Sequence, residues 1–212
     1  MPSVANRRVR AERKPRSRYH HGDLRRALLN EAVRTIREDG VDALTLRTAG
    51  ARLGVSRTAM YRHFADKSAL LGAVATEGFR LLREKLSDAW TRGGRGVKGF
   101  AAMGVAYVDF AVDNPSHYRV MFGGFVRGEC RDPELLTEAR GAFQCLVDAL
   151  VSLQQQQRVR ADEPLRLAQF VWATVHGVAM LAIDGQLQSQ GAKIDEVVAY
   201  AVDRIRTGIA VE

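Results

Sequence analysis

A chain of 212 residues with 46% apolar content is long enough to bury a core unaided and has the balance of a globular protein. Its two cysteines, Cys130 and Cys145, form no CxxC pair, which argues against a disulfide framework or structural zinc site and fits a reducing cytoplasm; no run of about 20 apolar residues and no secretory signal points to a membrane. The net charge of +8 sits in the first third: residues 1–72 hold 16 Lys+Arg against 7 Asp+Glu, residues 73–212 hold 16 against 17, so the N-terminal third is expected to face a polyanion, nucleic acid before an anionic membrane surface.

Residues 1–18 carry seven cations, one acid and few large apolar groups, and read as a disordered basic arm. The first helix follows, with Leu24, Leu28, Leu29, Ala32, Val33 and Ile36 at helical spacing and Gly40 as its stop. Thr45 then caps a short helix, "LRTAGARL", that ends at Gly54. Ser56 caps a second short one, "RTAMYRH". Asp66 caps a long helix from Lys67 to Arg92, with Ala69 where a capping box would place Glu. Gly93, Gly94 and Gly96 break the chain. Further helices are expected over 97–113, from Asn114-Pro115 to Phe122, over 133–155, over 164–188 and over 195–208, with "GGFVRGECRD" as a loop. No strand and no internal repeat is expected, so the fold class is all-α. The boundaries drawn are a basic arm over 1–18, a three-helix N-terminal domain over 19–66 and a C-terminal helical domain over 67–212.

The two short helices are too small to stand alone. Leu46, Ala49, Leu53, Val55, Met60 and Phe64 give them an inward face to set against the first helix. That is the helix-turn-helix design, in which the second helix enters the major groove of double-stranded DNA. Gly54 makes the bend, Val55 fills its angle and Ser56 caps the reading helix. Arg57, Thr58, Ala59 and Arg62 are placed toward base edges, where Arg can grip guanine with two hydrogen bonds and Thr or Ala methyls can touch thymine. Tyr61, His63 and Lys67 are placed against phosphates, and Thr45, Arg47 and Thr48 toward the flanking backbone. Taken singly, Arg47 and Arg52 read equally well as solvated surface groups.

The stretch "LTLRTAGARLGVSRTAMYRHFADKSALL" strongly resembles the DNA-binding domain of the TetR family of bacterial transcriptional regulators, over roughly residues 20–75. "GVS", the pair Tyr61 and Phe64, and Lys67 fall where that family has them; Gly50 and Ala69 depart from its usual pattern. "NPSHYRVMF" and "FVWATVHGVAML" look like a C-terminal subgroup named for Trp-His-Gly, here Trp172, His176 and Gly177. The resemblance implies a C-terminal domain that binds a small molecule and dimerises, and a repressor that reads a palindromic operator. An activator, or a regulator whose ligand promotes DNA binding, is the alternative.

The residues agree in outline. The 164–188 segment is apolar nearly all round from Phe170 to Ile183, and Ala173 and Gly177 allow a close helix approach. The last helix carries Ile194, Val197, Val198, Ala201, Ile205 and Ile209 on a stripe. A homodimer through these two helices is expected. Met103, Tyr107, Phe110, Tyr118, Met121, Phe122, Phe143, Trp172 and His176 are the expected walls of a largely apolar effector pocket, with His176 read as a hydrogen-bonded core or interface group in preference to a ligand contact. Cys145 reads as core and Cys130 as a loop thiol. His20 and His21 make no metal site. No nucleophile elbow, phosphate loop, metal-ligand cluster or carboxylate pair occurs, so no enzyme activity and no cofactor is expected.

Overall fold

The computed structural model describes residues 21–125 and 132–211. The basic arm, His20 and Cys130 lie outside the described residues. The described chain forms ten helices: α1 (His21–Asp39), α2 (Leu46–Leu53), α3 (Arg57–Tyr61), α4 (Lys67–Arg92), α5 (Val97–Asp113), α6 (Pro115–Phe122), α7 (Pro133–Gln155), α8 (Pro164–Ile183), α9 (Gln186–Ser189) and α10 (Ile194–Ile209). The described residues contain no strand; a single antiparallel bridge, Val159 to Ala210, ties the end of the chain to the α7–α8 connection.

Local chemistry sets the first helices. Leu24, Leu28, Leu29, Ala32 and Ile36 bury one face of α1, and Gly40 ends it at a φ of +84°. The Thr45 hydroxyl accepts from the Thr48 N–H at 2.9 Å, and the Thr48 hydroxyl oxygen accepts from the Thr45 N–H at 2.9 Å, so a threonine completes the reciprocal cap of α2. Ser56 Oγ accepts from the Ala59 N–H, and Asp66 Oδ1 from the Ala69 N–H. The reading helix α3 stops at Tyr61, two residues short of the sequence expectation. The Met60 carbonyl takes the N–H groups of both His63 (2.9 Å) and Phe64 (3.1 Å), a tightened turn that swings Phe64 into the core.

Gly50 lies where α2 crosses α3. A Cβ built on it would stand 1.7 Å from Met60 Sδ. The departure from the family pattern is therefore a packing choice: Gly50 makes room for the thioether that closes the core between the two short helices. We predict that Gly50→Ala lowers stability by about 1–3 kcal/mol, as overpacking does. Urea unfolding reads this directly, and an unchanged midpoint would mean that Met60 repacks freely.

Helix α4 is the spine. It packs against α1, α5, α6 and α7, while α8 packs on α5, α7, α9 and α10. Two sequence expectations need correction here. The eighth helix ends at Ile183 rather than near Gln188, because Gly185 turns the chain at a φ of +71° and α9 starts afresh. Part of the apolar stripe of the last helix is used inside the protomer: Val198, Ile205 and Ile209 are buried, together with Val202; Ile194, Val197 and Ala201 are half-buried; and α10 packs against α5 and α8. Helix α8 itself, at 20 residues, is the one described helix long and apolar enough to cross a membrane by length and composition, a point that counting apolar runs missed. It nonetheless carries Arg166 and His176 and is built into the bundle.

Candidate nucleic-acid interface and effector cavity

The cations of the first domain fall into two sets. Arg52 is structural: its guanidinium reaches Glu31 (3.4 Å), Glu38 (3.1 Å) and Asp39 (2.8 Å), pinning α2 to α1; desolvation is the largest single influence on its pKa and lowers it, but the three carboxylates together hold it above the ordinary value. Arg34 completes that cluster at Glu31. Arg47, Arg57 and Arg62 are different. They are exposed and form no ion pair among the described residues. Glu31, Glu38 and Asp39 of α1 are spent on Arg34 and Arg52, which leaves Arg47, Arg57 and Arg62 their positive charge.

On α3, Arg57 lies 5.5 Å over the ring of Tyr61, a cation–π contact that holds the guanidinium along the helix face. Thr58 and Ser56 are exposed, Ala59 and His63 half-buried, and Tyr61 is 48% exposed. Thr45 and Thr48 stand at the start of α2 beside Arg47, with their hydroxyls already engaged in the cap. Lys67 is half-buried, and its ammonium donates to the carbonyls of Val41 (2.8 Å) and Asp42 (3.4 Å). It thus clips the start of α4 to the turn after α1, a role no sequence feature announces.

A cavity of about 380 Å³ opens between α4, α5, α6, α7, α8 and α10. Five expected residues line it: Met103 and Tyr107 of α5, Phe122 of α6, Phe143 of α7 and Trp172 of α8. Four do not. Phe110 and Tyr118 are fully buried behind the wall, Met121 packs toward Gly78 of α4, and His176 stands in a second row. Helical spacing alone does not distinguish a wall from the layer behind it. The residues that were missed are mostly aliphatic: Leu82 and Leu86 of α4, Val171 and Val175 of α8, Val202 and Ile205 of α10. Phe79 of α4 adds an aromatic, and the exposed Gln169 is the one amide.

From that wall inward, Tyr107 and Trp172 join Tyr118 and His176 in a polar tetrad. Trp172 Nε1 donates to Tyr107 Oη at 3.0 Å; Tyr118 Oη lies 3.0 Å from Tyr107 Oη and 2.6 Å from His176 Nδ1; Tyr107 Oη lies 3.1 Å from that same nitrogen. With its one proton on Nε2, His176 offers Nδ1 as an acceptor, so three donors meet three acceptors when the imidazole is neutral. Burial favours that state, pushing the imidazole pKa below its ordinary value, and pushes the Tyr107 phenol up to about 12 and Tyr118 higher still. A base with a depressed folded pKa contributes stability that is full above its unfolded value of about 6.5 and lost as pH falls below it. We expect the urea midpoint to drop between pH 7.5 and pH 5.0, and the drop to shrink in His176→Asn, whose amide oxygen replaces the Nδ1 acceptor. An equal drop in both proteins would assign it elsewhere.

Two elements join cavity and reading head. Helix α4 carries Phe79, Leu82 and Leu86 at the cavity and Lys67 at the turn, with Phe79 about 18 Å along the axis from Lys67. Helix α6 carries Phe122 at the cavity and His117 against Glu77 of α4 at 3.4 Å, and Glu77 in turn faces Arg26 of α1 at 3.6 Å. The His117 hydrogen bond, ahead of the neighbouring cations, holds the Glu77 carboxyl below its ordinary pKa. Among the described residues no three His, Cys, Asp or Glu side chains gather as a metal site.

The family model for bacterial regulatory proteins of the tetR family matches residues 28–74, from within α1 through α2 and α3 to the start of α4. The model for the tetracyclin repressor-like C-terminal domain matches residues 100–205, half of the chain. The chain belongs to the TetR family.

This TetR-family protein is 25% identical over 97 residues to the HTH-type transcriptional regulator YobS of Bacillus subtilis, a match covering 46% of this chain and 50% of the relative. It is 41% identical over 61 residues to an HTH-type transcriptional repressor of Mycobacterium tuberculosis, 29% of this chain and 33% of that one. The matches thus span half or less of these curated relatives. A protein of unknown function from Rhodococcus sp. RHA1 has the same architecture along nearly the whole chain, with a TM-score of 0.83 and 34% identity over 92% of this chain and all of that one.

Outside the bundle the TetR-family chain leaves an apolar stripe on α8. Phe170, Ala173, Gly177 and Leu181 are exposed at helical spacing, and a Cβ on Gly177 would meet nothing within 4 Å. Tyr200, 68% exposed with Arg204 stacked on its ring, marks the outer face of α10.

Proposed function

We propose that this TetR-family regulator is a ligand-responsive repressor that binds a palindromic operator as a homodimer, its effector held in the α4–α10 cavity. The observation that carries the reading is the division of the arginines. Arg34 and Arg52 are consumed by Glu31, Glu38 and Asp39, while Arg47, Arg57 and Arg62 stand exposed and unpaired among the described residues around a capped reading helix. Arg57, Thr58, Ala59 and Arg62 read base edges. Tyr61, His63 and Ser56 hold phosphate, with Thr45, Arg47 and Thr48 on the flanking backbone; Lys67 adds positive charge beside the α4 N-terminus while anchoring it.

The dimer forms through the exposed stripe of α8 and the outer face of α10, which sets two heads on two half-sites. The effector acts by preferring the geometry that misplaces the heads, since equal affinity for both geometries would shift nothing. Such a regulator works beside DNA in the cytoplasm and needs neither turnover nor cofactor. The test is selection from a randomised duplex pool at near-physiological salt, followed by sequencing. An inverted repeat is expected, its spacing giving the separation of the heads. Recovery of no motif, with binding that vanishes as salt rises, would reject the reading.

A further inference from the structure

We infer that the effector is an uncharged, predominantly aromatic molecule, and that carboxylates, phosphates and amines of the same shape are excluded from the cavity. The inference rests on the ligand-responsive reading above and narrows it to a chemical class. None of the cavity-lining residues is Asp, Glu, Lys, Arg or His. The nearby Arg83, next in sequence to the lining Leu82, is paired with Glu138 at 3.0 Å and does not reach the wall. An ion entering the cavity would lose its water and find no countercharge.

The polar groups of the wall are also spoken for. The Tyr107 hydroxyl and Trp172 N–H are tied into the closed set with Tyr118 and His176, so a ligand that demanded either would break a buried bond. Only Gln169, exposed at the rim, has an amide to offer. A polar substituent therefore sits at the Gln169 edge or is absent. Among the aliphatic side chains of the wall stand six aromatic rings. Phe79, Phe100, Tyr107, Phe122, Phe143 and Trp172 surround the space, and Phe79–Phe122 and Phe143–Trp172 already stand edge to face at 5.5 and 5.9 Å. A ring inserted among them can make further offset or edge contacts.

The probes are 2-methylnaphthalene, 2-acetylnaphthalene and 2-naphthoate, offered to the full chain at pH 7.5 in equilibrium dialysis. The two neutral probes are expected to bind at least 100-fold more tightly than the carboxylate. Ala142→Phe, which fills the cavity from α7, is expected to abolish binding of the neutral probes, with an unchanged unfolding midpoint as the control for an intact fold. Leu146→Trp, at a half-buried lining position, repeats the test if Ala142→Phe does not fold. Naphthoate binding within threefold of the neutral probes would overturn the inference, as would failure of both neutral probes to bind or binding that survives both filled variants. Failure of the regulatory reading looks different: the neutral probes bind in the cavity, and operator affinity does not move.

Discussion

Arg57→Ala is expected to reduce discrimination between the selected operator and its single-base variants at the contacted position by about 5- to 150-fold, the equivalent of about 1–3 kcal/mol for a bidentate base contact. Arg57 opens α3, is exposed, and is held along the helix by the Tyr61 ring at 5.5 Å. No acid among the described residues competes for its guanidinium. In the proposed complex it therefore reaches the groove already oriented and loses little freedom on binding. Tyr61→Phe supplies the contrast. Removing only the hydroxyl keeps the ring under Arg57 and is expected to weaken all sequences alike, without changing preference. Lys67→Ala is a less clean probe, because it also strips two carbonyls of their donor at the α1–α4 clip. Its loss of DNA affinity is expected to come with a lower melting temperature. Competition binding against a panel of single-base variants separates these cases. Unaltered base preference in Arg57→Ala would remove α3 from the major groove.

Gly177→Arg is expected to convert the dimer to monomer and to weaken operator binding by about 10²- to 10⁴-fold, the advantage lost when the second head is no longer tethered to the first. The position is chosen because the protomer does not use it. A Cβ there meets nothing within 4 Å, and replacing a helical glycine does not reduce helix propensity. On the outer face of α8, however, it stands between Phe170, Ala173 and Leu181, where the proposed dimer brings a partner helix close. A guanidinium there holds the partner off and leaves a charge unpaired. Sedimentation and operator titration measure the two effects, with unfolding curves as the control for an intact protomer. A dimer that survives with full affinity would move the interface off α8.

The helices were legible along the chain because their signals are local. Thr45, Ser56 and Asp66 cap as hydroxyls and carboxylates do, Gly40 and Gly54 adopt the positive φ that ends helices, and the long apolar periodicities of α1, α4 and α5 need no partner to be seen. The reading helix was legible for the same reason, since its charge and its turn lie within a dozen residues. Three things were not. The separation of Arg52 from Arg57 depends on acids 13 to 21 positions away on α1. The inward use of the last helix depends on which neighbours cover it, not on its own stripe. The cavity wall depends on six helices meeting, so Phe110 and Tyr118 fell one layer behind it while Leu82, Val175 and Ile205 came forward.

The chain alone therefore determined an all-α protein with a helix-turn-helix head, because capping, turn formation and helical periodicity are short-range interactions written in consecutive residues. Only the tertiary structure decided which arginines are free to meet DNA, what Gly50 and Lys67 are for, and that the cavity has a wall without charge. Those are outcomes of pairing and packing between segments far apart in sequence, where the same residue type is structural or available according to what the fold sets beside it.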